Sequence, residues 1–536
     1  MPAVTSEASS CPVCGVASSL ACAACRQVHY CSRPHQKEHW KMHKTSCRPW
    51  TVKQTDELGR YMVATRAIQP GEVILREAPL VVGPKQATGP VCLGCHRPLT
   101  FDLDRGQLTP PAISCPGCRW SLCRPDCDRW HSKAECRLWS RVSRPADLRP
   151  GASGAAPAYG CVTPVRCLLL RDHPEAWSSL TSLEHHLDRR RQTALYRLNA
   201  AQLAGYLTAA LPADCDVTEN LVLEMCGVLD TNSFEVRTAE SKVRAIYASA
   251  SLQNHDCRPN TRHVFDSDYV ITVRATVPIA AGDVISTSYT QPLWNTAARQ
   301  QHLQFSKCFT CHCERCQDPT ELGTRLGSLT CTSCSGALLS TEPAAAAAAW
   351  RCDRCGRREA APQVVARRAQ LTKTVQSAER TVPGLEAAME SLDPRCSQRA
   401  EVAYALVQLY GTADGYTWKE LSADQLRRKQ QLCEQLLQLA SCLTPGQSRF
   451  RGVLLLELCR TQRHLLASRG SSNADEWDKV EGLLKEASTI LQHEPGWTEE
   501  LLGEEKLLKT VHESCSQKNQ PEKNQNKKKS KAKRKK

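Results

Sequence analysis

The segment from Asn254 to Asn260, "NHDCRPN", crowds polar side chains around a single cysteine, Cys257. Further along the chain, "KCFTCHCERC" at residues 307–316 supplies the closely spaced cysteines Cys311, Cys313 and Cys316. A structural zinc ion takes four ligands at tetrahedral corners, so this later group is one thiolate short. Cys257 is the candidate for the missing ligand. The pattern therefore predicts that two loops distant in sequence fold together around one ion.

The cysteine content of the whole chain raises the question of whether the thiols form disulfides or bind metal. The chain has 536 residues, and 31 of them are cysteines. Residues 1–10, "MPAVTSEASS", have neither the basic start nor the apolar segment of a signal peptide. No stretch approaches the ~20 apolar residues that cross a bilayer. We therefore expect a soluble protein of the nucleus and cytoplasm, a reducing environment in which clustered thiols bind metal.

The first cysteine cluster contains eight potential zinc ligands arranged as four pairs. The order of its pairs resembles the MYND zinc finger, in which pairs one and three share one ion and pairs two and four share another. The family usually has cysteine at the position of His35, and imidazole also binds zinc. The resemblance implies one site made of Cys11, Cys14, Cys31 and His35, and a second made of Cys22, Cys25, His43 and Cys47.

A second cluster repeats this plan and also resembles a MYND finger, with the ligands Cys92, Cys95, Cys115, Cys118, Cys123, Cys127, His131 and Cys136. A third group has the spacing of a complete zinc ribbon, formed by Cys331, Cys334, Cys352 and Cys355. With the Cys257 group, twenty-one cysteines and three histidines give 24 ligands. That number matches six tetrahedral zinc ions.

The heptapeptide also resembles the "NHSCxPN" motif of SET-domain lysine methyltransferases. "GDVISTSY" at residues 282–289 resembles their second motif, and residues 311–316 resemble their post-SET cysteines. Residues 58–84 are similar to the N-terminal half of the same domain. A MYND finger between the two halves is the arrangement of the SMYD family. The extra N-terminal finger and "YTQPLW" at residues 289–294 resemble the arthropod SmydA subgroup.

This resemblance implies an α+β protein: a split SET β-fold with MYND zinc fingers, a post-SET zinc site, a zinc ribbon and a helical TPR-like C-terminal domain. Short Val/Ile-rich runs at 61–65, 73–75, 269–273 and 284–288 predict strands. The expected domains are a MYND-type finger (1–50), the first SET part (51–91), a second MYND-type finger (92–136), a linker and helical insert (137–240), the second SET part with post-SET (241–320), a zinc ribbon (321–360), a helical TPR-like domain (361–515) and a disordered basic tail (516–536).

Helical periodicity dominates the C-terminal third. Leu432, Leu436, Leu439 and Leu443 form one apolar stripe, with Ser422 as a start signal and residues 444–446, "TPG", as a stop signal. A concave peptide-binding groove is the functional interpretation of such helices. A buttress that closes the substrate cleft is the alternative, and we favour it because helical stripes are usually core.

The family resemblance implies a protein-lysine N-methyltransferase that uses S-adenosylmethionine and modifies a histone or another protein. Tyr289 takes the catalytic position at the end of the lysine channel. The residues implied in cofactor binding are Arg60, His186, Asn254, His255 and Phe309. Three positions depart from the family's pattern: Tyr61 replaces a glycine, Asp256 replaces a serine, and Lys307 stands where an aromatic residue lines the channel.

These departures keep a second hypothesis open, an adaptor whose MYND fingers recruit proline-containing peptides in transcriptional regulation while the SET fold turns over weakly or not at all. Direct DNA binding is less well supported. Of the net charge of +15, residues 518–536 contribute ten Lys or Arg against one Glu. Such a run is a nuclear-import signal, an arm for acidic partners or a solubilising tail.

Overall fold

The computed structural model describes residues 10–18, 20–22, 28–143, 147–151, 154–238 and 241–518. Two compact units divide the chain. The first comprises Met1–Tyr289 with Gln300–Cys311, and the second comprises Thr290–Arg299 with His312–Lys536. The predicted basic tail falls largely outside the described residues. Among the described residues, no helix has both the length and the apolar character needed to cross a membrane.

The strands are short, and most belong to small sheets. Their bounds are β1 Leu20–Ala21, β2 His29–Tyr30, β3 Trp50–Thr55, β4 Gly59–Ala64, β5 Val73–Glu77, β6 Val81–Pro84, β7 Phe101–Asp102, β8 Gln107–Leu108, β9 Ile113–Ser114, β10 Ser121–Leu122, β11 Phe234–Arg237, β12 Lys242–Ile246, β13 Asn254–His255, β14 Thr261–Phe265, β15 Ile271–Ala275, β16 Ser286–Thr287, β17 Leu329–Thr330, β18 Ala337–Ser340, β19 Trp350–Cys352 and β20 Arg358–Glu359.

The helices are short in the first unit and long in the second. Their bounds are α1 Arg33–Cys47, α2 Lys133–Ser140, α3 Val162–Leu169, α4 Pro174–Thr181, α5 Leu187–Arg190, α6 Ala194–Asn199, α7 Gly205–Ala210, α8 Glu219–Asn232, α9 Thr296–Lys307, α10 Glu314–Gln317, α11 Ala361–Ser377, α12 Val382–Ser391, α13 Ser397–Leu409, α14 Ala423–Leu443, α15 Arg449–Ser468, α16 Ala474–Leu491 and α17 Thr498–Lys518.

Strands occur in all four predicted runs of the SET region. The strands of the first three runs belong to the antiparallel sheet β14-β15-β5 and to the hairpin β3-β4, and a further antiparallel sheet has the order β11-β12-β6. Strand β15 alternates buried and half-buried residues, as a strand with one face on the core must. It begins two residues later than predicted, because Tyr269 has a positive φ of 61° in a turn that the Asp266 side chain caps. Strand β11 pairs antiparallel with β12 in the second of these sheets.

The two motif segments lie side by side as parallel strands. In β13 and β16, Asn254 pairs with Ser286 and His255 pairs with Thr287. Two residues per strand make a weak ladder, and the Asn260 side chain reinforces it. Its Nδ2 donates to Val284 O at 2.8 Å, and its Oδ1 accepts from Ser286 N at 2.8 Å. The heptapeptide is therefore fixed to the second motif at both of its ends.

The second finger shares one hydrophobic core with the helical insert. Trp120 packs against Trp139, with ring centroids 5.0 Å apart, and against Tyr159 at 5.2 Å. Tyr159 and Ala156 are fully buried in this core. Residues 157–161, within the segment predicted as linker and helical insert, form a 3₁₀ helix inside this core. This finger is an integral part of the first unit.

The second unit contains a four-stranded antiparallel sheet in the order β17-β18-β19-β20, and helices α11–α17 follow. The predicted helical C-terminal region is confirmed. Helix α14 begins with a capping box in which Ser422 and Gln425 satisfy each other's backbone N–H groups, and Thr444 is its C-cap. Both predicted end signals are therefore correct. Leu432, Leu436 and Leu443 are buried, which contributes about 1.5–3 kcal/mol for each leucine side chain.

Candidate active site and metal centres

Tyr289 lies two residues after strand β16 and is held by two hydrogen bonds to residues 253–255. Its backbone N donates to His255 Nδ1 at 2.9 Å, and its phenol donates to Gln253 O at 2.6 Å. Burial raises the pKa of Tyr289 to about 12, so the phenol is neutral at pH 7. The proton points at Gln253 O, which leaves the oxygen lone pairs available as acceptors.

Asn254 joins the two halves of the SET region. Its side-chain Nδ2 donates to Leu58 O at 3.3 Å, directly before the turn at Gly59. Gly59 has a positive φ of 64°, and a Cβ built there would meet no atom within 4 Å. The next residue, Arg60, donates to the backbone O of Ser182 and to its Oγ. Three predicted elements, the first SET half, the heptapeptide and the helical insert, therefore meet around residues 58–60.

The remaining predicted cofactor residues also lie in the first unit. Phe309 is half-buried, with its ring centroid 6.1 Å from that of His255. His186 has a positive φ of 49°, and its Nδ1 lies 3.9 Å from a Glu184 carboxylate oxygen. Gln253 carries a buried Oε1 without a hydrogen-bond partner among the described residues. The aromatic ring of Phe309, the side-chain amide of Asn254 and the unused acceptor of Gln253 fit an adenosine ligand with an amino-acid tail.

His255 connects the Tyr289 site to a metal site. Because Nδ1 accepts from the Tyr289 backbone, the ring proton must reside on Nε2. Nε2 lies 3.2 Å from Cys257 Sγ and therefore donates to it. Both ring nitrogens are engaged within the protein, so any contact of His255 with the cofactor falls to its backbone.

Two members of the group that the sequence analysis centred on Cys257 lie close together in the first unit. Cys257 and Cys311 Sγ lie within 4.8 Å of each other. Two thiolates at this separation fit one tetrahedral zinc ion, for which Cys313 and Cys316 are the other two predicted ligands. A carboxylate ligand is absent from this group, which disfavours calcium or magnesium.

The second finger brings its eight predicted ligands together as two groups of four. One group is Cys92, Cys95, Cys123 and Cys127, and the other is Cys115, Cys118, His131 and Cys136. This is the pairing that the MYND resemblance implies. The turns around the sulfurs leave no room for a side chain, since a Cβ at Gly117 would lie 2.7 Å from Cys136 Sγ. Such crowding is typical of zinc knuckles and fits a metal at each group.

A buried polar network connects the second finger to strand β6 and helix α3. His131 Nδ1 lies 2.9 Å from Glu135 Oε2, and Arg166 pairs with Glu135 through Nε at 2.8 Å and Nη2 at 3.0 Å. Arg166 also donates to Val82 O on strand β6 and to Leu93 O, and contacts His96 Nε2 at 2.8 Å. A carboxylate that orients a ligating histidine is a common device at zinc sites. The sequence analysis missed Glu135 and Arg166, although the spacing of His131 and Glu135 by one helical turn was a usable signal.

The first finger and the ribbon also bring predicted ligands together. Cys11, Cys14, Cys31 and His35 form one group, and Cys331, Cys334, Cys352 and Cys355 form another. In the second predicted site of the first finger, Cys22 and Cys47 Sγ lie 3.5 Å apart and His43 is buried. Its predicted fourth ligand, Cys25, lies outside the described residues.

Family models match the two domain types described above. A MYND finger model matches residues 11–47, and a SET domain model matches residues 59–290. Both domain types are those of the SMYD family, to which the chain is similar. Among curated relatives, SET domain-containing protein SmydA-8 isoform B of Drosophila melanogaster is 33% identical over 318 residues, covering 57% of this chain and 66% of the relative. Isoform A is 30% identical and is covered to 64%, so the match spans slightly under two thirds of either relative.

Two further relatives carry enzyme names. Histone-lysine N-methyltransferase ASHR2 of Arabidopsis thaliana is 25% identical over 50% of this chain and 73% of the relative. Histone-lysine N-methyltransferase SMYD3 of Mus musculus is 34% identical over 109 residues, which is 20% of this chain and 24% of the relative. A solved SET domain of LSMT bound to lysine and AdoHcy aligns over 90% of this chain and 92% of its own, at 11% identity and with a TM-score of 0.28.

We expect the protein to contain about six zinc ions per chain, as the 24 predicted ligands imply. Among the described residues, four complete groups lie within single units, two of them with only sulfur donors and two with one imidazole each, and the partly described first-finger site adds Cys22, His43 and Cys47. Elemental analysis of protein purified without added metal checks the number. A value near four would mean that one finger does not bind metal.

Lys307, the departure from the family's aromatic position, lies beside the Tyr289 ring. Its Nζ is 5.4 Å from the ring centroid and donates to Thr231 O at 2.6 Å and Asp230 O at 3.3 Å. Burial, with Arg190 as a second cause, lowers the pKa of Lys307 to about 8, while Asp230 opposes the shift. The ammonium is therefore charged at pH 7, next to the predicted catalytic residue.

This pKa predicts a pH-dependent contribution to stability. An unfolded lysine titrates near ~10.4, so between pH 8 and about 10.4 the unfolded chain binds the proton that the folded chain has lost. The free energy of unfolding should therefore increase as the pH rises through that window, because of Lys307. Denaturant unfolding at pH 8 and pH 10 checks this, because Lys307→Met should show a smaller rise than the wild type. An identical rise in both proteins would contradict the assigned pKa.

Proposed function

We propose that this protein is a protein-lysine N-methyltransferase that transfers a methyl group from S-adenosylmethionine to a lysine of a histone or another protein. The observation that carries the proposal is the doubly held Tyr289, whose neutral phenol is fixed against residues 253–255. The histone-lysine N-methyltransferase names of ASHR2 and SMYD3 support the substrate class. The chain's match to SmydA-8 supports the domain composition but names no substrate.

In the proposed reaction, S-adenosylmethionine supplies an electrophilic methyl group on a sulfonium. The substrate ammonium first loses a proton to solvent, and the amine nitrogen then forms a bond to the methyl carbon. The carbon–sulfur bond breaks, and its electron pair remains on the sulfur of S-adenosylhomocysteine. Tyr289 orients the amine, because its oxygen keeps acceptor capacity while its proton is bound to Gln253 O. Alignment of donor and acceptor supplies most of the rate.

The cofactor residues in this proposal are those that the resemblance implied. Asn254 and the backbone of His255 would hold the amino-acid part, Phe309 would stack on the adenine, and Arg60 and His186 would close the site. The open space at Gly59 and the unused Gln253 Oε1 support this placement.

The direct test combines cofactor binding with methyl transfer. We expect calorimetry to detect binding of S-adenosylmethionine to the full chain, and a tritiated-methyl assay to label core histones or a protein in a cell extract. Tyr289→Phe should lower the turnover by about 100-fold, as loss of an orienting hydroxyl does elsewhere. Tyr196→Phe, on helix α6, is the matched control and should change little. No binding at millimolar cofactor would refute the proposal, and equal labelling by Tyr289→Phe would remove Tyr289 from it.

A second candidate function is recruitment of proline-containing peptides by the first finger, and it does not require catalysis. Helix α1 leaves Trp40 44% exposed, and its ring is an apolar surface of the kind that holds proline rings. Titration of a proline-rich peptide against the wild type and Trp40→Ala tests it. Unchanged affinity in the variant would exclude this surface.

We also propose that the protein works in the nucleus and the cytoplasm. The basic run at residues 527–536 supports import. Imaging a fluorescent fusion with and without residues 518–536 tests the role of this run, and an unchanged distribution would contradict it.

A further inference from the structure

The backbone around Lys307 is held on both sides by two arginines of the helical insert. Arg190 donates to Ser306 O at 2.7 Å, and Arg189 donates to Cys308 O at 2.8 Å. Cys308 also has a positive φ of 60°, a conformation that a residue other than glycine adopts only when its surroundings enforce it. The position of Lys307 is therefore fixed by contacts that do not involve its own side chain.

The Lys307 ammonium binds backbone carbonyls at the C-terminal end of helix α8. Thr231 O and Asp230 O belong to the last turn of helix α8, where carbonyls lack partners within the helix and the helix dipole favours a cation. The Asp230 carboxylate has a separate partner, Arg190, at 4.0 Å. Lys307 is thus held as a helix cap, and Asp230 keeps a charged partner if Lys307 is replaced.

We propose that Lys307 is a specificity-determining residue: it disfavours positive charge at the Tyr289 site, so that S-adenosylhomocysteine binds better than S-adenosylmethionine and a lysine leaves after one methylation. This inference rests on the proposed function, because it requires methyl transfer beside Tyr289. An aromatic residue at position 307 would attract a methylammonium through its ring face. A fixed ammonium repels the same group.

The size of the effect follows from simple electrostatics. S-adenosylmethionine carries a sulfonium cation, whereas S-adenosylhomocysteine has a neutral thioether at the same place. Two unit charges roughly 8–10 Å apart at an effective dielectric constant of about 20 change a binding equilibrium roughly tenfold or more. The same repulsion acts on the methylammonium product and disfavours its retention for a second transfer.

Calorimetric titration of the full chain with each of the two ligands tests the inference without knowledge of the protein substrate. We expect Lys307→Met to lower the ratio of the S-adenosylmethionine Kd to the S-adenosylhomocysteine Kd about tenfold. Lys307→Gln should do the same while retaining an N–H donor for Thr231 O, which guards against misfolding of the methionine variant. Lys307→Arg keeps the charge and should keep the ratio near the wild-type value. Lys85→Met, whose lysine pairs with Glu235, is a control for loss of a lysine elsewhere in the unit.

The outcomes separate this inference from the proposed function. If neither ligand binds to the wild type, the proposed function fails. If both bind and the ratio is the same in the wild type, Lys307→Met and Lys307→Gln, the inference is wrong and the proposed function stands. Where histones accept methyl groups, mass spectrometry adds a second readout. A higher dimethyl fraction with Lys307→Met supports the inference, and an unchanged fraction contradicts its product-release part.

Discussion

Replacing Arg166 by methionine is expected to lower the free energy of unfolding of the first unit by about 3–5 kcal/mol, the usual cost of removing one partner from a buried ion pair. The Glu135 carboxylate is only 1% exposed and would lose its bidentate partner. His96 Nε2 and two backbone carbonyls, Val82 O and Leu93 O, would lose their donor at the same time. Because Glu135 also orients His131, the variant should release zinc from the second finger more readily.

Thermal unfolding, together with a colorimetric assay of zinc release, measures both effects. Arg141→Met is the matched control, since its ion pair with Asp214 is largely exposed and such pairs contribute about 0–1 kcal/mol. An Arg166→Met protein as stable as this control would show that the network contributes little to the fold.

Replacing Cys257 by serine is expected to remove one zinc ion per chain and to weaken S-adenosylmethionine binding at least about 100-fold. The serine hydroxyl is a poor substitute for a thiolate at zinc, and metal binding supports the local fold. The loss should spread to the active site, because Cys257 Sγ accepts from His255 Nε2 while His255 Nδ1 holds the Tyr289 backbone. Mutation of the groups that orient metal ligands commonly lowers metal affinity or activity 10–100-fold, and we expect loss of a ligand itself to lower them further.

Elemental analysis and calorimetry on the same preparation check the coupling. Cys215→Ser, which changes a half-buried cysteine that belongs to no predicted ligand group, should alter neither quantity. Loss of zinc with unchanged cofactor affinity would contradict the proposed coupling between Cys257 and Tyr289. Unchanged zinc content would remove Cys257 from the metal site altogether.

Several metal ligands, helix ends and strands could be predicted from the sequence alone, because they depend on local interactions or on strict chemical requirements. Each CxxC pair of the fingers was predictable because such a turn presents both sulfurs to one ion, whereas the sharing of one ion by two distant pairs was implied by the MYND resemblance. The ends of helix α14 were predictable because Ser422 and Gln425 cap each other across three residues. The strand at 271–275 was predictable from its composition, but its first residue depended on a turn that the Asp266 side chain fixes.

The tertiary structure decided features that arise between segments far apart in the chain. The sequence marked Lys307 as a departure from the family's pattern, but only the fold places its ammonium on the carbonyls of helix α8 and beside Tyr289. Likewise, His255 could have turned its ring toward a ligand, and the fold instead uses both nitrogens between Tyr289 and Cys257. Nothing in the sequence distinguishes Arg166 from the other arginines, and only the fold brings Glu135 and His96 into contact with it. In each case a single polar group is fixed by partners that burial deprives of water, and which partners those are depends on how the distant segments pack.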